Sequence, residues 1–111
     1  MKLALSALAT ALALASPSSF AGDAGTTAIE ALGKVNGIAL ACQQPAISSR
    51  ARNALVTGAP KTRGNGEIFE NATNAAYLEQ GKGAACPDLV TLKQLLEAAE
   101  KSLESAFKGA R

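Results

Sequence analysis

The 111-residue sequence predicts an all-α fold, a small four-helix up-and-down bundle with one disulfide. Apolar residues recur at helical spacing in four segments, and polar stretches that contain Pro or Gly separate these segments. No stretch of alternating apolar and polar residues indicates a strand. Cys42 and Cys86 stand where the first predicted helix ends and the fourth begins, and these two points lie at the same end of such a bundle.

Residues 1–21 are typical of a secretory signal peptide. Lys2 supplies a positive charge, an apolar run extends from Leu3 to Ala15, and Ser19-Phe20-Ala21 places small residues at the −3 and −1 positions. We expect cleavage directly after this triplet, which leaves residues 22–111 as a single helical domain. The Ala-rich composition and the short signal favour a bacterial protein that is exported to the periplasm. No later segment is long enough to span a bilayer, so we expect no transmembrane segment after signal cleavage.

The first helix of the mature chain is predicted from Thr26 or Thr27 to Cys42. Thr27 and Glu30 have the spacing of a capping box, which favours a helix start there. The apolar side of this helix carries one polar residue, Asn36, and otherwise consists of Ala28, Ile29, Leu32, Val35, Ala39 and Leu40.

Small residues line a second side of the first helix. Gly33, Gly37 and Ala41 follow one another at intervals of four, and such a face lets another helix backbone approach closely. Each glycine costs about 1 kcal/mol relative to Ala in a helix interior, so we expect the close approach to serve a purpose. Two occupants are open: another helix of the same bundle, or a second copy in a homodimer through Gly33, Gly37 and Ala41.

Three further helices follow in the sequence. The second begins at Gln43-Gln44-Pro45, ends at Gly58-Ala59-Pro60 and has a weak apolar face. After a polar connection, the third is predicted from about Glu67 to Gln80, with Ile68, Phe69, Ala72, Ala75 and Ala76 buried. The fourth has an apolar stripe at helical spacing, formed by Leu92, Leu95, Leu96, Ala99, Leu103, Ala106 and Phe107.

The cysteines and the absence of histidine restrict the chemistry of the chain. In a small exported domain, Cys42 and Cys86 are expected to form one structural disulfide, which stabilises the fold by roughly 4 kcal/mol in the entropic account. The chain contains no His and its two cysteines are 44 positions apart, so zinc and haem ligation have little support, and the usual general base is missing. We therefore expect no catalytic residue, no metal site and no cofactor, and the protein is not expected to be an enzyme.

Charge and one aromatic residue suggest where a partner would bind. Signal cleavage leaves a net charge near +1, and the basic stretch lacks aromatic residues for base stacking, so we expect no nucleic-acid binding. The expected partner is an envelope protein or an anionic envelope polymer, although a solvated face balanced by the acidic helices is an alternative reading of this stretch. The candidate contact residues are Arg50, Arg52, Lys61, Arg63, Gly33, Gly37 and Tyr77.

In outline, the chain resembles the acid-stress periplasmic chaperones of the HdeA type. The shared features are a signal peptide, about ninety mature residues, an all-helical pattern and one disulfide across the middle of the chain; no functional residue is carried over. The first hypothesis for function is an interaction module, acting as an accessory subunit, inhibitor or adaptor of an envelope component. The alternatives are an acid-stress chaperone, as the resemblance implies, and a small-ligand carrier.

Overall fold

The computed structural model describes residues 6–108, with side chains described from residue 24 onward. Four helices make up this part of the chain, which contains no strand: α1 (Ser6–Ala41), α2 (Pro45–Gly58), α3 (Arg63–Gln80) and α4 (Leu89–Ala106). The predicted all-α four-helix fold is confirmed. The signal peptide predicted for residues 1–21 lies outside the residues whose side chains are described. Among the described residues, none of the four helices has the length and apolar character needed to cross a membrane.

The first helix begins earlier in the sequence than predicted, and it ends in a defined turn. Thr27 is not an N-cap, because α1 begins further upstream and runs through this position. After α1, Gln43 adopts a left-handed conformation with φ of 58°. The N–H of Gln44 then donates to the carbonyl of Ala39 at 2.8 Å, and that of Gln43 to Leu40 at 3.4 Å. These two bonds form a Schellman motif, which turns the chain into α2 without the glycine that usually occupies this position.

Side-chain caps determine where α3 and α4 begin. The hydroxyl of Thr62 accepts a hydrogen bond from the N–H of Asn65 at 3.1 Å, so α3 begins at Arg63, four residues before the predicted start. The carboxylate of Asp88 accepts from the N–H of Thr91 at 2.7 Å and caps α4 in the same way. These hydrogen bonds lower the pKa of Asp88, because they stabilise its charged form.

Helix α1 is the centre of the bundle. It contacts each of the other three helices, and α2 also contacts α4. Within the described chain, α3 packs against α1 alone and contacts neither α2 nor α4. The connection at Cys42 and Cys86 places the end of α1 beside the start of α4, with the two Cα atoms 5.8 Å apart, so the predicted disulfide is confirmed.

The core lies between α1, α2 and α4 and extends to α3 through one aromatic ring. The buried apolar side chains are Ala28, Ile29, Leu32, Val35, Ile38, Ala39, Ile47, Ala51, Ala59, Phe69, Leu92, Leu96, Ala99 and Leu103. Three residues placed on buried faces by the sequence pattern are instead exposed: Leu40, Ala75 and Leu95. Because α3 contacts only α1, it does not cover the flanks of α2 and α4.

The glycine face of α1 is where α3 approaches. A Cβ atom built on Gly33 would lie 2.6 Å from the carbonyl oxygen of Phe69, and one on Gly37 would lie 2.8 Å from the Cβ of Ala76. Contacts this short show that the helix backbones touch directly. Because Gly33 meets Phe69 while Gly37 meets residues one turn further along α3, the two helices run parallel.

We expect Gly37→Ala to destabilise the fold by about 1–3 kcal/mol, since the new methyl group forces α3 away from α1. Gly66→Ala is the matched control, because a Cβ at Gly66 in α3 meets nothing within 4 Å. This second change should stabilise the protein by up to ~1 kcal/mol through helix propensity. Urea unfolding measures both, and a Gly37→Ala protein as stable as the wild type would contradict the close contact.

The cap at Asp88 predicts a defined part of the acid response. Its pKa is lowered in the folded state, so its stabilising effect is present above the unfolded pKa of about 3.9 and is lost as pH falls through the lower folded value. Asp88→Asn keeps a capping side chain that does not titrate. We expect its melting temperature to fall less steeply than that of the wild type below about pH 4. Parallel melting curves between pH 7 and pH 2 would show that the cap does not contribute.

Candidate functional site

Arg50, the first residue of the predicted basic segment, forms an ion pair within the bundle. Arg50 on α2 donates from Nε and Nη2 to the two carboxylate oxygens of Glu100 on α4, each at 2.8 Å. The hydrogen bonds to Glu100 and the charge of that carboxylate raise the pKa of Arg50. This two-point ion pair orients α2 on α4, and it agrees with the alternative reading in which acidic helices balance the basic stretch.

The other three basic residues are not gathered beside Arg50. Arg52 donates from Nη1 to the hydroxyl of Ser48 at 3.2 Å and so belongs to a different side of α2. Lys61 and Arg63 are exposed at the connection between α2 and α3, at the end of the bundle opposite the disulfide. Within the described residues, neither takes part in an ion pair or a side-chain hydrogen bond. These two cations are therefore the part of the segment that is free to meet an anionic partner.

A buried chain of polar groups lies beneath Arg52. Ser48 donates to Oδ1 of Asn36 at 2.6 Å, and Nδ2 of Asn36 donates to the hydroxyl of Thr73 at 3.1 Å. Thr73 in turn donates to the carbonyl of Gly33 at 3.2 Å. All three polar side chains are at least 95% buried, and no buried side-chain nitrogen or oxygen in the described region lacks a partner. The chain therefore joins α2, α1 and α3 through the one polar residue of the α1 core face.

Two of the predicted contact residues are inaccessible. Gly33 and Gly37 are buried beneath α3, as the intramolecular alternative predicts. A homodimer through these glycines would have to displace α3. Ala41, one turn beyond Gly37, is partly exposed.

Tyr77 is half exposed, and further exposed apolar side chains lie at the same end of the bundle. Its exposed fraction is 49%, and that of the adjacent Leu78 is 66%. Because α1 and α3 run parallel and the disulfide holds the start of α4 beside the end of α1, one end of the bundle carries several exposed apolar side chains. We call this region the apolar end: Leu40, Tyr77, Leu78, Leu89 and Val90.

Sequence reasoning misses most of the apolar end. The helical pattern places Leu40 in the core and Leu89 at the start of the apolar stripe of the fourth helix, and it makes no prediction for Val90. The signal that marks the last two is their position before Leu92, on the first exposed turn of α4. For Leu40 no local signal exists, since its exposure follows from the missing contact between α2 and α3.

The rest of the described region carries exposed charged side chains and grooves between its helices. Within it, no group of His, Cys, Asp and Glu side chains converges as a metal site. The surface grooves lie between helices: one of about 600 Å³ is lined by α1 and α3, and one of about 660 Å³ by α1 and α4. No protein-family model, curated protein or solved structure matches this chain.

The buried polar chain can be tested with two adjacent serines of α2. Ser48→Ala removes the donor to Asn36 and leaves its Oδ1 unsatisfied, which should cost about 1–3 kcal/mol of stability. Ser49→Ala is the matched control, because Ser49 is exposed on the same helix. It should be neutral or stabilise the protein by up to ~0.5 kcal/mol. Equal unfolding free energies for the two variants would rule out a stabilising role for the polar chain.

Proposed function

We propose that this protein is exported to the periplasm and acts by binding another envelope protein, as an accessory subunit, inhibitor or adaptor. The apolar end is the observation that carries the proposal. Five large apolar side chains are exposed there, each by 42–66%. Large exposed apolar side chains at one end of a small protein are typical of a surface that a partner covers.

The disulfide supports this role in two ways. It joins the ends of α1 and α4 and so holds Leu89 and Val90 in fixed positions relative to Leu40. A surface that is already ordered loses less conformational entropy when it binds. A disulfide is also typical of oxidising compartments, which agrees with the signal-peptide pattern of residues 1–21.

The end of the bundle opposite the apolar end carries the two cations that we include in the proposed interaction. Lys61 and Arg63 are exposed and unpaired in the described structure, and they lie a whole helix length from the apolar end. Exposed cations contribute more to the rate of encounter and to orientation than to affinity. We assign the binding energy to the apolar end and treat these two cations as secondary contacts.

Site-specific photocrosslinking in intact cells tests this function. A photoactivatable residue replaces Tyr77 or Val90 at the apolar end, Lys61 at the basic connection, or Val56 as a control. Val56 is a matched control because it is apolar and 54% exposed but lies near the other end of α2. We expect the mature chain, beginning at Gly22, to be in the periplasm. We expect one dominant adduct from positions 77 and 90 and none from position 56.

Other results would contradict the proposal in distinct ways. A dominant adduct from position 61 alone would assign the interface to the basic connection and not to the apolar end. No adduct from any position, or a chain retained in the cytoplasm, would overturn the proposed function. A broad mixture that forms only after acidification is what the chaperone hypothesis predicts, and it would replace the dedicated-partner proposal.

A further inference from the structure

One side of α1 is left uncovered by the other three helices. Thr27, Ala31 and Lys34 are exposed there, Ala41 is partly exposed, and Ile38 lies at the bottom of a groove beside α4. These residues and Ala24 follow one another at alternating intervals of three and four. That spacing is the repeat by which one helix packs along another in a coiled coil. We call this side the open face: Ala24, Thr27, Ala31, Lys34, Ile38 and Ala41.

Grooves flank the open face on both sides. One of about 600 Å³ lies between α1 and α3, with Ala72, Ala75 and Ala76 in its lining. Two more lie between α1 and α4: one of about 250 Å³ lined partly by Leu95 and Ala98, and one of about 660 Å³ lined partly by Ala31 and Lys101. The open face therefore continues sideways into α3 and α4, with small side chains that allow close approach.

The charges on this side are unpaired among the described residues. Glu30 borders the open face, and Lys34 lies in it one turn later. An acid four residues before a base is the favourable order for a pair within one helix. Nevertheless, neither side chain forms an ion pair or a side-chain hydrogen bond in the described structure. Both charges are thus available to a molecule that packs on the open face.

We propose that the open face binds a second copy of this chain, with the two α1 helices antiparallel about a two-fold axis. When the two open faces are aligned in this antiparallel arrangement, Lys34 lies opposite Ala31 of the second copy, and Ile38 lies opposite its Thr27. Ala41 lies opposite Ala24. Each long side chain meets a short one, so the antiparallel arrangement avoids steric conflict along the seam.

The same register makes the charges self-complementary. Residues 30 and 34 lie on either side of the two-fold axis, so Glu30 of each chain comes beside Lys34 of the other. Two-fold symmetry produces this ion pair twice. A parallel pair would instead place Lys34 beside Lys34 and Glu30 beside Glu30, which repel each other. The charge pattern therefore selects the antiparallel dimer.

This dimer differs from the one expected through the glycines. Gly33 and Gly37 face α3 and stay buried in both the single chain and the dimer. Of the three residues in that expectation, only Ala41 belongs to the open face. The apolar end is not used either, so dimer formation and the proposed partner binding are separate properties of the molecule.

Charge reversal followed by sedimentation equilibrium tests the dimer. Lys34→Glu places four acidic groups at the interface, and Glu30→Lys places four basic groups there. We expect each variant alone to dimerise at least about tenfold more weakly than the wild type. Lys61→Glu is the matched control, because it makes the same charge change at an exposed site away from the open face, and it should dimerise like the wild type.

Mixing the two variants provides the decisive measurement. In a mixed dimer, the Lys34→Glu chain presents acidic groups at both positions and the Glu30→Lys chain presents basic groups at both. Opposite charges then face each other across the axis, so the heterodimer should form with near wild-type affinity. Circular dichroism of each variant verifies that the helices are retained. A wild-type chain that sediments as a monomer at every concentration would overturn the proposal, and so would a dimer that neither reversal weakens.

Discussion

The direct contact between the backbones of α1 and α3 controls most other features of the bundle. Gly33 and Gly37 have no side chains to hold α3 at the usual distance, so the two helices pack without a layer of large residues between them. The energy of this contact comes from many short van der Waals contacts and little from apolar bulk. Phe69 is the one large residue of α3 that is fully buried against the core.

The polar chain through Asn36 complements this packing. A contact between two smooth faces of small residues tolerates sliding, because one register fits nearly as well as the next. The hydrogen bond from Asn36 to Thr73 removes that freedom, since a shift of one turn would leave both groups buried without partners. The hydrogen bond from Ser48 to Asn36 fixes the position of α2 along α1 in the same way. The glycines determine how closely the helices approach, and the polar chain determines where along their length.

The exposed surfaces follow from the same arrangement. Because α3 is attached to α1 alone, three sides of the bundle are less covered than in a square four-helix array: both flanks of α3 and the open face of α1. The disulfide holds the start of α4 near the end of α1 and so brings α4's first exposed turn to the apolar end. Arg50, which the basic segment suggested as a partner contact, instead joins α2 to α4 through Glu100.

Local pattern along the chain was sufficient for the helical class, the number of helices, the second helix and the pairing of Cys42 with Cys86. Such features depend on periodicity, on Pro and Gly positions and on the only two cysteines, all of which can be read from the sequence. The packing of the helices was needed to show which helix fills the glycine face, and that Leu40 and Leu95 are exposed. The pattern of one helix shows that a side is apolar, but not whether a neighbour covers it. For the same reason, the sequence could not show which charged side chains form ion pairs. Arg50 and Glu100 are fifty positions apart and meet only when the chain has folded.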